Sequence, residues 1–398
     1  MHFVLYTNFI SPHQLPLAHE MVNHFGEDDY RYIYTDELEA QRMNMGWKSD
    51  CSQAWCIRGN ENSQDLLDCD ILFSELRCLD VFAERISAGR LTCYVSERWF
   101  KPPRGAWRLL SPAYWKMACN IVGFLDSPYF FYFPQGIHAA RDMMRLQGLI
   151  HGDLRCLFQA PKVAFEGTPG GRIIPLEQAI KDELLDEKQI SWGHSHGFVR
   201  ISSEKWKDVH EYPPWRNYRL WGYFVAAGEN NKACFSDNHV KKVLWAGRML
   251  DWKHVETLIE ATPDTMELHL YGHGPEEENL KRRASEKQNI QFHDFVPIKQ
   301  MRDLMQQHDV YVLPSDGGEG WGAVVNEALE EKMPVIATIE SGAGATMLNE
   351  DSLFHACNIA QLRKKLNMPL CKNDIGAWTA KNAAAFLCDF AKKYIKDK

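Results

Sequence analysis

Two glutamates, Glu319 and Glu327, with seven residues between them, lie within "SDGGEGWGAVVNEALEEKMPVIAT", which runs from Ser315 to Thr338. Gly317, Gly318 and Gly320 crowd the first glutamate, and Gly322 follows it. An ionised carboxylate only accepts hydrogen bonds, and it can accept two side by side. Sugars offer hydroxyls in pairs. Glu327, on a helix-like segment, suits the two hydroxyls of a ribose, and Glu319, in the glycine-rich loop, suits those of a second sugar. Upstream, "GRMLDWK" presents Arg248 and Lys253 between an apolar run and a helical segment. Cations beside a helix start suit a diphosphate, because charge and backbone N–H groups act together. In "YGHGP", Gly272 and Gly274 let a ligand approach the backbone closely. Taken singly, each of these charges is an ordinary surface residue. In register, they describe a site for a nucleotide sugar.

These residues need a frame. In the second half, short apolar runs at 243–247, 266–272, 289–296, 309–315 and 334–339 alternate with helical patterns. "KHVETLIEA" places Val255, Leu258 and Ile259 on one face, and "IKQMRDLMQQH" does the same with Ile298, Met301, Leu304 and Met305. Strand–helix alternation predicts βαβ units and a parallel sheet with right-handed crossovers. In such sheets ligands bind outside the carboxyl ends of the strands, where "GRMLDWK", "YGHGP", "FVP" at 295–297 and "PSDGGEGWG" fall. The first half alternates as well, with strand candidates at 3–8, 30–36, 69–75, 91–97, 129–136 and 161–167. "SPHQLPLAHEMVNHF" predicts a helix with Ser11 as N-cap and Pro12 in its first position. The stretch 168–217 reads as an irregular insertion, and 226–239 as a polar linker. The tail from 377 reads as an amphipathic helix with Phe386, Leu387, Phe390 and Tyr394 on one face.

At this point "GRMLDWKHVETLIEA", "LYGHGPEEENL", "FHDFVP", "DVYVLPSDGGEGWGAVVNEALEEKMPVIAT" and "SGAGATML", in that order, resemble the nucleotide-sugar domain of the family-4 retaining glycosyltransferases. The resemblance covers roughly Lys242 to Phe354. It implies an α/β GT-B fold, two facing Rossmann-like domains with a deep cleft between them. The implied division is 1–225 as the acceptor-side domain, 240–376 as the nucleotide-sugar domain, and 377–398 as a helix returning to the first. By the family's pattern Arg248 and Lys253 contact the diphosphate, Glu327 the ribose, and Glu319 the donor sugar near the reacting carbon. The backbone at Gly320, Trp321 and Gly322 faces sugar and phosphates, and that near Val296 meets the base. The activity implied is transfer of a sugar, with retention, to a glycan or lipid-linked acceptor in cell-surface polysaccharide or glycoconjugate assembly, with no cofactor and no essential metal.

The first half departs from that pattern. Its first loop, "TNFISPHQLP", has no glycine pair. His13 lies there at a helix start, which suits an anion contact or plain exposure. For the histidine that the family often carries near the reacting carbon, the candidates are Glu97 and Arg98 after one strand, or His138 after the next. His194 and His196 in "GHSHG" have no cysteine or carboxylate cluster beside them and make a poor zinc site.

Composition bounds the rest. The 398 residues are 45% hydrophobic and 25% charged, as in a globular protein of two or three domains. Eleven cysteines without a Cys-x-x-Cys pair support neither a zinc ribbon nor a redox motif and suit a reducing, cytoplasmic compartment. The N-terminal apolar run has no basic region before it and reads as a buried strand, not a signal peptide. No stretch reaches the ~20 apolar residues needed to span a bilayer. The net charge of −8 argues against a nucleic-acid partner. One stretch reverses that charge: Arg98 to Lys116 holds five basic residues, no acid, and Trp99, Phe100, Trp107, Tyr114 and Trp115. It reads either as core rings under a solvated basic face, or as a peripheral contact with the inner face of a membrane. Two rival functions remain, a nucleotide-sugar epimerase of the same fold and an inactive sugar-nucleotide-binding protein.

Overall fold

In a computed structural model, the chain is described at residues 1–38, 52–150, 152, 154–157, 172–175, 180, 198–201, 220–227, 240–370, 373, 375 and 378–396. The strand candidate at 161–167, His194, His196 and nearly all of the linker at 226–239 lie outside them. Among these residues the chain divides into two compact units. One comprises Met1–Leu38, Ser49–Phe224 and Ala377–Lys398, and the other Val225–Gly376.

The N-terminal unit is built on six parallel strands: β1 (Phe3–Thr7), β2 (Tyr30–Tyr34), β3 (Cys56–Arg58), β4 (Ile71–Ser74), β5 (Leu91–Ser96) and β6 (Phe130–Pro134), in the order β3-β2-β1-β4-β5-β6. Register is set by pairs such as Leu5 with Tyr32 on one side and with Phe73 on the other. β1, β4, β5 and β6 are buried along their whole length, as parallel strands covered on both faces must be. The filling is aromatic. Phe73 packs edge-on against Phe133 and Trp221 at ring distances of 5.0 and 5.4 Å. The tail helix, Ala380–Lys396, lays Phe390 on Phe131 at 4.8 Å, and the Tyr394 hydroxyl donates to the Pro128 carbonyl.

Two details differ from the sequence reading. The first helix begins at Leu15, not beside Ser11. Gln14 is its N-cap and Pro16 occupies the first turn, because Ser11 is used in a tighter turn, where its carbonyl accepts the amides of Gln14 and Leu15. Within the stretch read as irregular, β7 (Arg172–Pro175) and β8 (Phe198–Ile201) pair antiparallel.

The C-terminal unit repeats the plan with β9 (Lys241–Ala246), β10 (Met266–Tyr271), β11 (Ile290–His293), β12 (Val310–Leu313), β13 (Val335–Thr338) and β14 (Leu353–Phe354), in the order β11-β10-β9-β12-β13-β14. All are parallel. Its core is more aliphatic: Val243, Leu268, Leu270, Val310 and Val312 meet Val255, Leu258 and Ile259 of the helix Val255–Ala261. In both sheets the strand order turns back once, between β1 and β4 and between β9 and β12. An open α/β sheet binds ligands at such a point.

Candidate nucleotide-sugar site

Of the residues singled out in the second half, Lys253 and Glu319 meet at the β9/β12 switch. After β9 the chain makes a 3-10 turn, Asp251–Lys253, then passes through His254 in the left-handed conformation (φ 48°) before the helix Val255–Ala261 starts. Lys253 therefore lies just before the helix start, where the sequence reading puts it. Its ammonium turns across the switch and pairs with the Glu319 carboxylate. Both side chains are mostly buried, with 16% and 13% of their surface exposed. The ammonium also lies 4.6 Å from the centre of the Trp252 ring, within cation–π range. Glu319 takes a second hydrogen bond from the Ser315 hydroxyl at 3.0 Å.

The loop carrying Glu319 is anchored on three sides. The Asp316 amide donates to the Trp252 carbonyl at 3.0 Å, joining it to the turn after β9. A Cβ on Gly318 would stand 3.2 Å from the Trp252 ring, so this glycine makes room for the indole. On the far side the Ala343 amide donates to the Trp321 carbonyl at 2.8 Å, and a Cβ on Gly342 would meet the Gly320 carbonyl oxygen at 2.4 Å. The Thr338 hydroxyl donates to the Ser315 carbonyl beneath. His254 ties the two loops again: its ring nitrogens lie 3.0 Å from Glu256 and 3.2 Å from Asp316. Its hydrogen bond to Glu256 leads in raising its pKa above the ordinary histidine value. Trp252, His254, Ser315 and Asp316 were not singled out from sequence. The spacing of Lys253 and Glu319, 66 residues apart, gives no sign that they pair.

The other expected residues distribute as follows. Glu327 lies in the helix Val324–Glu330 and is partly exposed, yet the surrounding protein pushes its carboxyl up to about 7. Desolvation dominates, and Arg302 opposes it. Trp321 is buried, and its indole N–H donates to Asn326 at 2.7 Å, so its side chain braces the loop. Gly322 has φ 97°, and Gly272, with φ 123°, passes so close to the Gly247 carbonyl oxygen that a Cβ would stand 2.0 Å from it. Phe295 flanks Gly272, and Val296 follows it, partly exposed, after β11. Arg248 is exposed. Among the described residues, no three His, Cys, Asp or Glu side chains are grouped as a metal site.

The first-half candidates separate. Arg98 lies 3.4 Å from the buried Asp142, an ion pair of structural kind. Glu97, at the end of β5, accepts from the Tyr223 hydroxyl at 3.4 Å and lies 3.5 Å from the Lys101 ammonium. Desolvation lowers His13 to about 4, so its imidazole is neutral at pH 7 and offers no charge to an anion. His138 starts the helix Ile137–Ile150 and is partly exposed.

Residues 240–368 match the family model "Glycosyl transferases group 1". The C-terminal region carries a group 1 glycosyltransferase domain. The match stops short of the N-terminal unit. No curated protein matches the chain in sequence. Among solved structures the chain is similar to a lipopolysaccharide outer core galactosyltransferase, WaaB, in its apo form, with TM-score 0.59 and 11% identity over 98% of this chain and 100% of that one. It is also similar to a glycosyltransferase from Rickettsia africae ESF-5, with TM-score 0.50 and 14% identity over 100% and 99%. At these identities the likeness shows the fold: two parallel six-stranded α/β sheets, each with surrounding helices, as in the GT-B glycosyltransferases.

Proposed function

We propose that the protein transfers a sugar, with retention, from a nucleoside-diphosphate sugar to a glycan or lipid-linked acceptor, as the family-4 enzymes do. The observation that carries this reading is the Lys253–Glu319 pair at the switch point of a group 1 glycosyltransferase domain. The difficult step is cleavage of the anomeric C–O bond through an oxocarbenium-like centre. Negative charge grows on the leaving diphosphate as that bond breaks, and preorganised cations aimed at it lower the barrier most. An ammonium has three donors. Lys253 spends one on Glu319 and keeps others for a phosphate oxygen, with Arg248 as the second cation. Glu319 takes hydroxyls of the donor sugar, and Glu327 those of the ribose. In the retaining route the acceptor oxygen bonds the anomeric carbon on the face the diphosphate leaves. The acceptor's proton passes to the departing phosphate oxygen. The site asks for no essential metal in this scheme, and turnover is expected to survive a chelator.

The test is a set of nucleotide sugars incubated with the protein alone and with mixed acceptors. Slow hydrolysis of donor, faster transfer when acceptor is present, and a product of unchanged anomeric configuration support the reading. An epimerised donor sugar, or no turnover of any donor, overturns it. Glu319→Gln should chiefly lower kcat, because the sugar changes charge in the transition state. Glu327→Gln should chiefly weaken donor binding, because ribose contacts are uniform along the reaction.

We also infer that the enzyme works against the cytoplasmic face of a membrane in glycoconjugate assembly. The rings of the basic stretch split into two groups. Trp99 and Phe100 are buried, whereas Trp107, Leu110 and Trp115 are exposed by 75%, 76% and 37% beside exposed Arg104 and Lys116. Exposed tryptophans among cations suit an anionic headgroup layer. No described helix is long and apolar enough to cross a membrane, so contact through this stretch would be peripheral. Sedimentation with phosphatidylglycerol vesicles at low salt should carry the protein down, and the combined change Trp107→Ala, Arg104→Glu and Lys116→Glu should leave it in the supernatant. Vesicle binding that the triple variant retains would remove this stretch from the membrane.

A further inference from the structure

The β1/β4 switch of the N-terminal unit carries a second polar cluster, built by four strand ends and one later segment. Glu75 follows β4, Glu97 follows β5 and Gln135 follows β6, while His13 and Gln14 lie in the loop after β1. Tyr223 belongs to the segment whose Trp221 bridges to Gln135. Glu75 accepts from the Thr7 hydroxyl at 2.9 Å and from the Gln14 amide, and the Gln14 carbonyl accepts from the Tyr32 hydroxyl at 2.8 Å. Glu97 accepts from the Tyr223 hydroxyl, which the Gln135 side chain also bonds. The His13 ring stands 6.0 Å from that of Tyr223. Glu75, Glu97, His13 and Tyr223 are all partly exposed, so a ligand can reach them.

Two features point to what that ligand is. Gln135 is 3% exposed, and its Oε1 has no hydrogen-bond partner among the described residues. Native structures keep few orphaned buried acceptors, and such an atom signals a missing donor. The second feature is charge. The two carboxylates repel each other, and desolvation with that repulsion holds Glu75 up at about 7. The nearby cations are spoken for: Lys101 lies on Glu97 and Arg98 on Asp142. The cluster is thus rich in acceptors and poor in free donors or positive charge.

We propose that this cluster binds a neutral sugar ring of the acceptor, with Glu75, Glu97 and the Gln135 carbonyl taking its hydroxyl protons as specificity-determining contacts. Sugar hydroxyls supply donors in adjacent pairs, which two carboxylate edges and one amide oxygen can accept. A phosphate-bearing ring brings negative charge to two glutamates whose one paired cation, Lys101, is already engaged with Glu97. The proposal rests on the glycosyl-transfer reading, and it fixes the chemical class that the N-terminal site accepts.

Saturation-transfer NMR on the full chain tests it, with methyl α-glucoside, methyl β-galactoside, glucose 6-phosphate and methyl glucosaminide as probes. At least one neutral hexoside should receive saturation, and the 6-phosphate should give a signal at least fivefold weaker. Glu97→Gln, at a partly exposed position, and Glu75→Gln should each cut the hexoside signal at least threefold. Affinity for a UDP, GDP and ADP panel should stay within twofold in both variants, which reports the folded state separately. No hexoside signal, a signal undiminished from the parent's in both variants, or a preference for the phosphate or for the amine would overturn the proposal. Donor hydrolysis, measured alongside, tells the two failures apart: its loss sinks the glycosyl-transfer reading, and its persistence without sugar binding sinks only the acceptor site.

Discussion

The two units share one topology and use its switch point differently. At β9/β12 a carboxylate, Glu319, is held by a cation, Lys253, with an aromatic face beside it. At β1/β4 a carboxylate, Glu75, is held by a hydroxyl and an amide, Thr7 and Gln14. An ammonium with unused donors prepares a site for anions, whereas neutral donors leave the carboxyl itself as the available group. The same fold thus offers one edge suited to a charged diphosphate and another suited to uncharged hydroxyls. The cores differ in parallel, aliphatic in the C-terminal unit and crowded with rings in the N-terminal one.

The comparison breaks most visibly at Lys253. Lys253→Met strands Glu319 with Ser315 as its remaining named partner. Breaking a buried pair costs about 3–5 kcal/mol, and the partial exposure here reduces that to roughly 2–3. Turnover should fall at least ~100-fold, since each 1.36 kcal/mol on the barrier is about tenfold. Gln14→Met, the matched change at the other switch, removes a neutral donor worth about 1 kcal/mol and should leave nucleotide affinity alone. Calorimetric titration with nucleoside diphosphate and thermal unfolding read both. Similar losses of affinity from the two variants would erase the distinction between the switches.

Acidity sharpens it. Glu75 is raised from an ordinary carboxyl value to about 7, by desolvation first and Glu97 next. Its folded pKa exceeds its unfolded one, so the folded state binds more protons between about pH 4.5 and 7. Its contribution is fully present below that window and is lost as pH rises through it, then stays constant. The loss across the whole window is on the order of 3 kcal/mol, given 1.36 kcal/mol per unit. Glu75→Gln keeps an acceptor for Thr7 and Gln14 but cannot ionise. Urea unfolding at pH 5 and pH 8 should therefore show the variant gaining on the parent protein at the higher pH. Equal differences at the two pH values would mean that Glu75 ionises normally.

The sheets were legible because buried parallel strands must be apolar runs. The ten runs at 3–8, 30–36, 69–75, 91–97, 129–136 and their C-terminal counterparts each mark a strand found, with β9 beginning two residues before its run. Two edge strands were not. Cys56–Arg58 and Leu353–Phe354 are three and two residues long, too short for a period, and exist because β2 and β13 offer them backbone partners. At the site, residue types announced the chemistry, but pairing did not follow from them. Lys253 meets Glu319 only because β9 and β12 are neighbours, and sequence spacing is blind to that adjacency. Glu75 shows the same limit from the other side. It ends the apolar run "CDILFSE" as Glu97 ends "LTCYVSE", and the shared position at a strand's carboxyl end was the available signal. Ser11 misled as a cap because serine's hydroxyl and carbonyl serve turns as readily as helix starts.

Arg248 carries the smallest expected effect and divides the C-terminal switch itself. It is exposed, whereas Lys253 is mostly buried against Glu319 and Trp252. An exposed cation contributes little to folding, so Arg248→Ala should leave stability within about 0.5 kcal/mol of the parent. It should still weaken diphosphate binding about tenfold, near the lower end for a hydrogen bond to a charged group. Screening then separates the two cations. The Debye length is about 10 Å at 0.1 M salt and about 3 Å at 1 M, and exposed charges feel this most. Raising salt from 0.05 to 0.5 M should shrink the Arg248→Ala deficit several-fold, while the Lys253→Met deficit persists because its partners exclude ions. Titration of the nucleoside diphosphate at both salt concentrations decides it. A salt-independent Arg248 effect would place its guanidinium inside a closed site, and no effect at low salt would leave Lys253 as the cation on which the diphosphate depends.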